Sequence, residues 1–291
     1  MKVDKASRTA QYMAFFRALE STRPEGKRLF YDPYAVIFLD NGLRRAVKYS
    51  TIPPVRNYLR YKIHKKLPGG FTSGVARTRY IDDLLQGAVS KGVKQVIILG
   101  AGFDTRAIRL EFLHNIPVIE IDHPNTAKQK LGALQSSLGK LPGNVRYYQI
   151  DFNEQSLDDL VQVRHIDLTI PTAIIWEGVS NYLSDQAVDN TFRFFSHFAK
   201  DSCLIFTYIH QQVLDDPKSF FGAEKLLNDL AEIEEHWTFG FDPEELREQY
   251  CKKFNCTIVE DKGAVEYREN YMPDRPERGY EFYRVAMAVK D

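Results

Sequence analysis

An apolar run that ends in two glycines constrains the fold of this chain more than any other stretch. Residues 96–99 are four consecutive apolar residues, most of them β-branched, and Gly100, Ala101 and Gly102 follow directly. Such a run predicts a buried strand, and glycines after it let the backbone approach a ligand closely. The stretch therefore indicates the crossover of an α/β fold that takes a nucleotide-type ligand.

A second apolar run ends in acids about 20 residues beyond the first glycine. Residues 116–122 predict a strand in which Glu120 and Asp122 share a parity, so both are expected to point towards one crevice. Asp122 lies nearer the carboxyl end, where open α/β sheets bind ligands, and suits a ribose diol. A glycine turn alone is more often structural, but the acid-tipped strand favours a binding site. Thr105 stands where a dinucleotide motif has its third glycine, which weakens an NAD-binding interpretation.

Two later strands also end in acids. Residues 144–150 predict a strand that leads into Asp151 and Phe152, and residues 171–179 predict one with Glu177 near its carboxyl end. An acid followed by an aromatic residue suits an adenine, whose amino group needs an acceptor. The alternative for Asp151 is a helix cap. Glu177 occupies the position in the sheet where a transferred group is expected.

Two arginines near the start of a predicted helix need an explanation. The helix is expected to open at Ser73, which places Arg77 and Arg79 near its amino end, where cations oppose the helix dipole. One explanation is a forked guanidinium that binds a carboxylate. The alternative is a salt bridge to Asp82, Asp83 or another acid.

The remaining elements are read from apolar periodicity and turn residues. The sequence predicts helices, strands and one lid over these ranges: an amphipathic helix at 7–20 with an aromatic stripe, a capped turn at Asp32-Pro33-Tyr34, a basic, tyrosine-rich lid at 49–74 made of a solvated helix and a mobile loop, helices at 125–138, 185–199, 216–235 and 244–254, and strands at 203–209 and 281–289.

Charge and cysteine content restrict the partners and the compartment. Lys and Arg together number 39, as do Asp and Glu, so no overall field attracts nucleic acid or an anionic membrane. The first residues do not resemble a secretory signal, and no stretch of the sequence is expected to span a bilayer. Its three cysteines, Cys203, Cys251 and Cys256, have neither metal-site spacing nor an even count. We expect a cytoplasmic protein with a small-molecule or protein partner and no metal.

Five motifs in order resemble the leucine carboxyl methyltransferase family, in particular its bacterial S-adenosylmethionine-dependent O-methyltransferases. The resemblance runs from the Asp32-Pro33-Tyr34 turn through Leu183. It rests on Ala76-Arg77-Thr78-Arg79, on Leu99-Gly100-Ala101-Gly102-Phe103-Asp104-Thr105-Arg106, on Glu120-Ile121-Asp122-His123-Pro124, on Asp151-Phe152 and on Glu177-Gly178-Val179-Ser180-Asn181-Tyr182-Leu183.

The resemblance implies a class I methyltransferase fold, which is Rossmann-like, with a seven-stranded sheet whose last strand is antiparallel. It implies one domain over 1–291, comprising an N-terminal helical cap or lid (1–90), a cofactor-binding core (91–210) and a substrate insertion with the C-terminal strands (211–291). In the implied site, Arg77 holds the methionine carboxylate of S-adenosylmethionine, and Gly100, Ala101 and Gly102 pass under its methionine and ribose. Asp122 takes the ribose hydroxyls, Asp151 and Phe152 frame adenine, and Glu177 lies by the methionine amino group.

The expected reaction is methyl transfer to an acceptor oxygen by in-line displacement, with a small-molecule carboxylate as the favoured acceptor. A carboxylate, with a pKa of about 4, is ionised at neutral pH and needs no general base, whereas a phenol would need one. His210 is the one candidate for that role, although His210 and His123 are more simply explained by packing or capping. The alternatives are a non-catalytic S-adenosylmethionine-binding regulator and an NAD-dependent oxidoreductase. The sequence does not specify the oligomeric state.

Overall fold

A mixed sheet forms the centre of the computed structural model, which describes residues 8–151, 155, 157, 160–161 and 166–291. The described residues form seven strands in the order β3-β2-β1-β4-β5-β7-β6. Strands β1 to β5 run parallel, and β7 pairs antiparallel with both β5 and β6. This confirms the predicted sheet and its antiparallel last strand. The strands are β1 (Gln95–Leu99), β2 (Val118–Asp122), β3 (Val145–Gln149), β4 (Thr172–Trp176), β5 (Cys203–Ile209), β6 (Cys256–Gly263) and β7 (Tyr283–Lys290).

Helices surround the sheet on both faces and at its carboxyl edge. They are α1 (Arg8–Ser21), α2 (Asn41–Tyr49), α3 (Pro53–Lys66), α4 (Gly70–Ser90), α5 (Arg106–Arg109), α6 (Pro124–Leu138), α7 (Asp185–Ser196), α8 (Gln212–Asp215), α9 (Ala223–Glu232), α10 (Pro243–Glu245), α11 (Cys251–Lys253) and α12 (Ala264–Tyr271), with a π-turn at Leu246–Tyr250 between α10 and α11. Of the helices in the described part of the chain, none combines the length and apolar character needed to cross a bilayer.

Strand β1 contributes to the core on both sides of the sheet. All five of its residues are buried. Ile97 and Leu99 belong to the apolar cluster on one face, whereas Val96 and Ile98 belong to the cluster on the other. This alternation follows from the two-residue side-chain period of a strand covered on both faces. The unbroken apolar run in the sequence is therefore explained.

Helix α4 begins three residues earlier than the sequence predicts. It starts at Gly70 rather than Ser73, because Gly69 adopts a left-handed φ of +87° and lies against the Tyr280 ring. The Ser73 hydroxyl accepts a hydrogen bond of 2.6 Å from the backbone N–H of Tyr280, which fixes the first turn. Arg77 is therefore in the helix interior, and the argument that its charge opposes the helix dipole was wrong.

The C-terminal third departs most from the sequence prediction. The helix expected over 216–235 is shorter and broken, since α8 ends at Asp215 and α9 spans Ala223–Glu232. Strand β6 and helix α12 were not predicted at all. Strand β6 is an edge strand that carries Glu260, Asp261 and Lys262 and lacks a continuous apolar run. Its pairing with β7, rather than local pattern, determines its conformation.

Substitution of Gly100, which follows β1, tests the packing at the carboxyl end of the sheet. Gly100 has a φ of +64°, and a Cβ there would lie 2.4 Å from Cγ2 of Val179. We expect Gly100→Ala to lower the free energy of unfolding by about 2 kcal/mol because of backbone strain and overpacking. Gly87→Ala is the matched control, since nothing lies within 4 Å of that site on α4 and alanine is expected to stabilise the helix by about 1 kcal/mol. Equal effects in urea unfolding would contradict this account.

Candidate functional site

A cavity of about 690 Å³ lies at the carboxyl ends of β1, β2 and β4. Its floor is formed by residues at or just after the ends of these strands, namely residues 99–103, Asp122, His123 and Glu177. Helices α1, α4 and α9 contribute to its walls. A parallel sheet brings the ends of neighbouring strands together, which is why residues distant in the sequence meet there. Of the predicted cofactor residues, the cavity is lined by Arg77, Gly100, Ala101, Gly102, Asp122 and Glu177.

The turn after β1 keeps one side of the cavity free of side chains. Gly100 and Gly102 both have positive φ, +64° and +48°. The backbone N–H groups of Gly100 and Ala101 donate to the carbonyl of Ile121, at 2.8 and 3.2 Å. These bonds hold the turn against the end of β2, so the backbone itself forms part of the cavity surface.

Asp122 lies at the edge of this turn. Its carboxylate accepts hydrogen bonds from the backbone N–H groups of Gly102 (2.6 Å) and His123 (2.7 Å). Burial raises the pKa of Asp122, and these two donors offset the effect only in part. Because a carboxylate has about four acceptor positions, the group retains acceptor capacity for hydroxyl groups in the cavity.

Glu120 does not share the crevice with Asp122. Its side chain is buried beside Lys130 of α6, with 2.6 Å between the carboxylate Oε2 and Nζ. Burial raises the pKa of Glu120 to about 7, although the Lys130 charge acts in the opposite direction. The prediction that both acids face one crevice is therefore wrong for Glu120. The prediction considered only that the two side chains lie on the same side of β2. It did not consider helix α6, whose Lys130 pairs with Glu120.

Glu177 is held between two arginines from different elements. Its Oε1 accepts from Nε of Arg77 at 2.8 Å, and its Oε2 accepts from Nη1 of Arg106 at 2.7 Å. Burial raises the pKa of Glu177, but the charges of Arg106 and Arg77 outweigh burial, so the pKa lies below its ordinary value. Glu177 is therefore an anion on the cavity floor.

Arg77 makes a salt bridge whose partner the sequence did not identify. The partner is Glu177 rather than Asp82 or Asp83, and the guanidinium carbon lies 4.7 Å from the centroid of the Tyr283 ring. Arg79, in contrast, pairs with Asp83 at 2.8 Å. Arg77 uses Nε for Glu177 and also lines the cavity, so its role towards a cofactor carboxylate stays a prediction.

Arg106 is the main site residue to which sequence reasoning assigned no role. It is buried and donates to Asp82 (2.8 Å), to Asp104 and to Glu177. Burial raises the pKa of Asp104, but Arg106 more than compensates and lowers it to about 2. The signal in the sequence was the Asp104-Thr105-Arg106 tripeptide directly after the glycine turn. Its partners on α4 and β4 are not visible from the sequence.

Thr105 explains why the third glycine of a dinucleotide motif is absent. Its hydroxyl donates to the buried carboxylate of Asp32 at 2.7 Å, and Asp32 also accepts from Nε of Arg17 at 2.9 Å. Arg17 in turn donates to the backbone carbonyl of Phe103. This network ties α1 to the glycine turn. Asp32 also accepts from the N–H groups of Tyr34 and Ala35, as expected for its capping role.

The remaining predicted residues are Asp151 and Phe152, which were expected at the adenine, and the two histidines His123 and His210. Asp151 is half-buried after β3, with Oδ2 3.5 Å from Nε2 of His123. Among the lining residues that the structure describes, Asp151 does not appear, and Phe152 lies outside the described residues. His123 caps α6 and accepts from the N–H of Asn125. His210 accepts from the N–H of Gln212 just after β5, as expected of a hydrogen-bonded histidine at the end of a strand.

The chain is similar in sequence to known proteins. Residues 10–196 match the family model described as leucine carboxyl methyltransferase. A protein of Streptomyces coelicolor, named as a candidate S-adenosyl-L-methionine-dependent methyltransferase, is 34% identical over 181 residues, which cover 62% of this chain and 61% of that protein. This chain thus aligns with about six-tenths of the length of that curated relative.

Two solved structures share the fold over nearly the whole chain. A candidate methyltransferase from Thermobifida fusca has a TM-score of 0.61 at 18% identity, covering 100% of this chain and 97% of its own. A DUF574 family protein from Streptomyces avermitilis has a TM-score of 0.58 at 14% identity, covering 98% of both chains. At these identities the likeness concerns the fold.

Proposed function

Because this chain belongs to the leucine carboxyl methyltransferase family, whose cofactor is S-adenosylmethionine, we propose that it is an O-methyltransferase that forms a methyl ester on a small-molecule carboxylate. The observation that carries the proposal is the 690 Å³ cavity at the carboxyl ends of β1, β2 and β4, with Asp122, Glu177 and Arg77 on its surface. Its volume is in the range of small-molecule sites.

The charges and the backbone of the cavity floor fit the cofactor. In the proposed arrangement, Asp122 accepts the ribose hydroxyls and the Gly100-Ala101-Gly102 turn lies under the methionine and ribose. Glu177 is ionised beside the cavity and suits the cofactor's ammonium group. Arg77 takes the cofactor's carboxylate with the nitrogens that Glu177 does not use. Asp151 and Phe152 are proposed for the adenine.

The role of the chain in the reaction is to bind and orient. When bound, S-adenosylmethionine supplies a methyl group on a positively charged sulfur, and the S–CH₃ bond breaks as the acceptor's O–CH₃ bond forms. A carboxylate acceptor, with a pKa of about 4, is already ionised at neutral pH, so no residue has to remove a proton. Positioning by the cavity walls then provides most of the catalysis.

The other half of the cavity supports a small amphiphilic acid as the acceptor. Its wall includes apolar side chains of α1 and α9, and Lys66 at the end of α3. Four acids also line this wall, namely Asp229, Glu232, Glu234 and Glu235. Glu235 accepts from the Thr9 hydroxyl, and Asp229 lies 3.1 Å from Nζ of Lys225. The apolar and aromatic members of this wall are Tyr12, Met13, Phe16, Leu226, Leu230, Ile233 and Trp237.

A radiochemical assay tests the proposed reaction. The protein is incubated with methyl-tritiated S-adenosylmethionine and a panel of carboxylic acids, phenols and amines. We expect label in the carboxylic acids, and mild alkali should release it as volatile methanol. The rate of methyl transfer should change little between about pH 6 and pH 9, because the acceptor stays ionised. The Gly87→Ala variant should retain this activity, since Gly87 is remote from the cavity.

Two outcomes would contradict the proposal. Base-stable label in phenols or amines, with none in carboxylic acids, would identify a different acceptor class. Tight binding of S-adenosylmethionine without transfer to any acceptor would favour a non-catalytic regulator.

A further inference from the structure

Positive charge is concentrated in one segment of a chain that is neutral overall. Residues 41–66 contain eight Lys and Arg residues and no Asp or Glu. Since Lys and Arg equal Asp and Glu at 39 each, the rest of the chain has an excess of eight acids. The segment forms α2 and α3, which we call the basic face. Its local field is strongly positive although the net charge is zero.

Helix α3 presents its charges outward. None of its residues is buried. Leu59 and Ile63 are half-buried, whereas Lys62 and Lys65 are exposed. Residues three and four apart share one side of a helix, so these lysines and the tyrosines that precede them, Tyr58 and Tyr61, form one outward surface.

Aromatic and aliphatic side chains lie among these charges. Tyr58 and Tyr61 on α3 are 58% and 61% exposed, and Tyr49 at the end of α2 and Ile52 just before α3 are 56% and 50% exposed. Nζ of Lys62 lies 5.5 Å from the centroid of the Tyr58 ring. Exposed tyrosines next to lysines are typical of surfaces at a membrane interface, where the ring enters the headgroup layer and the charge stays in water.

Several cations of the basic face have no anionic partner among the residues that the structure describes. In the described ranges, no acidic side chain lies within ion-pair distance of Arg45, Lys48, Lys62 or Lys65, whereas Arg60 pairs with Glu277. A folded protein gains nothing in stability from such unpaired like charges close together. They are available to an anionic partner.

The basic face adjoins the mouth of the cavity. Ile63, Lys66 and Leu67, at the carboxyl end of α3, line the cavity wall. A partner on the outward surface of α3 would therefore lie next to the acceptor half of the site.

We propose that the basic face docks the protein on an anionic lipid surface, such as a bilayer that contains acidic phospholipids. Lys62, Lys65 and their neighbours bind the headgroup charges, and Tyr58, Tyr61 and Ile52 enter the headgroup layer. Amphiphilic acids dissolved in the bilayer then have a short path past α3 to the cavity. The proposal departs from the expectation from composition, which considered the net charge and not the local concentration of charge.

The exposed shape favours a lipid surface over nucleic acid. Single-stranded nucleic acid is bound in positively charged grooves with stacking platforms, whereas α3 is a helix on the outside of the molecule with no buried residue. The exposed aliphatic Ile52 suits a lipid layer better than a phosphate backbone.

Vesicle flotation tests the proposal without cofactor or acceptor, so its outcome is independent of the proposed reaction. The full chain is mixed with phosphatidylcholine vesicles, with or without about one third phosphatidylglycerol. We expect binding to the anionic vesicles only, with loss at high salt. Lys62→Glu with Lys65→Glu should weaken partitioning at least tenfold, since each basic residue contributes on the order of a fivefold factor. Tyr58→Ser with Tyr61→Ser should also weaken it at low salt, because the rings no longer enter the headgroup layer.

The control variant reverses the charge of two lysines on another part of the surface. Lys91→Glu with Lys94→Glu changes two exposed lysines just before β1, at the opposite edge of the sheet from the cavity, and should leave vesicle binding unchanged. The circular dichroism of both double variants establishes that they fold. Equal binding to neutral vesicles, equal loss in both double variants, or binding to a single-stranded oligonucleotide with no binding to vesicles would each overturn the proposal.

Discussion

Replacing Arg106 by Met is expected to lower the free energy of unfolding by about 3–5 kcal/mol. Arg106 is the shared cation of three carboxylates, those of Asp82, Asp104 and Glu177, and its side chain is only 3% exposed. Methionine fills a similar volume but leaves three acids close together without this charge. Asp82 and Glu177 keep Arg109 and Arg77 as partners, so the effect comes mainly from Asp104, which keeps no ion pair among the described residues. Urea denaturation followed by circular dichroism measures it.

The same substitution at Arg79 is the matched control. Arg79 lies on α4 and pairs with Asp83, but its side chain is 41% exposed. Solvent screens this pair, so Arg79→Met should cost about 1 kcal/mol or less. If the two variants lose equal stability, Arg106 is not the central cation of the site.

Replacing Asp122 by Asn is expected to weaken the binding of S-adenosylmethionine by about 100-fold. The amide keeps the size of the side chain and one acceptor oxygen, but it loses the charge that strengthens hydrogen bonds to the ribose hydroxyls. Two charge-assisted hydrogen bonds account for about 2–3 kcal/mol of binding. Isothermal titration calorimetry with S-adenosylhomocysteine provides the dissociation constants.

The affinity of the wild type should also depend on pH. Because burial raises the pKa of Asp122, protonation removes the acceptor at a higher pH than for an ordinary aspartate, so affinity declines as the pH falls through this raised pKa. Asp122→Asn should lack this dependence. Asp201→Asn, the same change in the loop before β5, is the control, since Asp201 has a φ of +66° that asparagine tolerates. Equal affinity in both variants would remove Asp122 from the site.

The parallel part of the fold was predictable because each of its strands can be recognised from a short stretch of sequence. β1, β2 and β4 are mostly apolar stretches that lead to Gly100, Asp122 and Glu177, and a parallel sheet brings such ends together. The edge strand β6 was missed because it carries charges along its length and depends on its partner β7. Local pattern does not reveal pairing of that kind.

The contacts of the site were less predictable than its location. The pairing of Arg77 with Glu177 joins residues one hundred positions apart, and Lys130 withdraws Glu120 from the crevice. Arg106 stood in a recognised motif beside Asp104, yet its other two acids, Asp82 and Glu177, come from distant parts of the sequence. Which acid a buried arginine selects depends on tertiary packing, which one sequence does not display.

Titration of the wild-type protein with S-adenosylhomocysteine, the demethylated form of the cofactor, tests the central claim, that the crevice beside the glycine turn binds S-adenosylmethionine and its product. The account predicts saturable heat at one site per chain, with a dissociation constant in the micromolar range, and no heat with NAD under the same conditions. Heat with NAD and none with S-adenosylhomocysteine would contradict it.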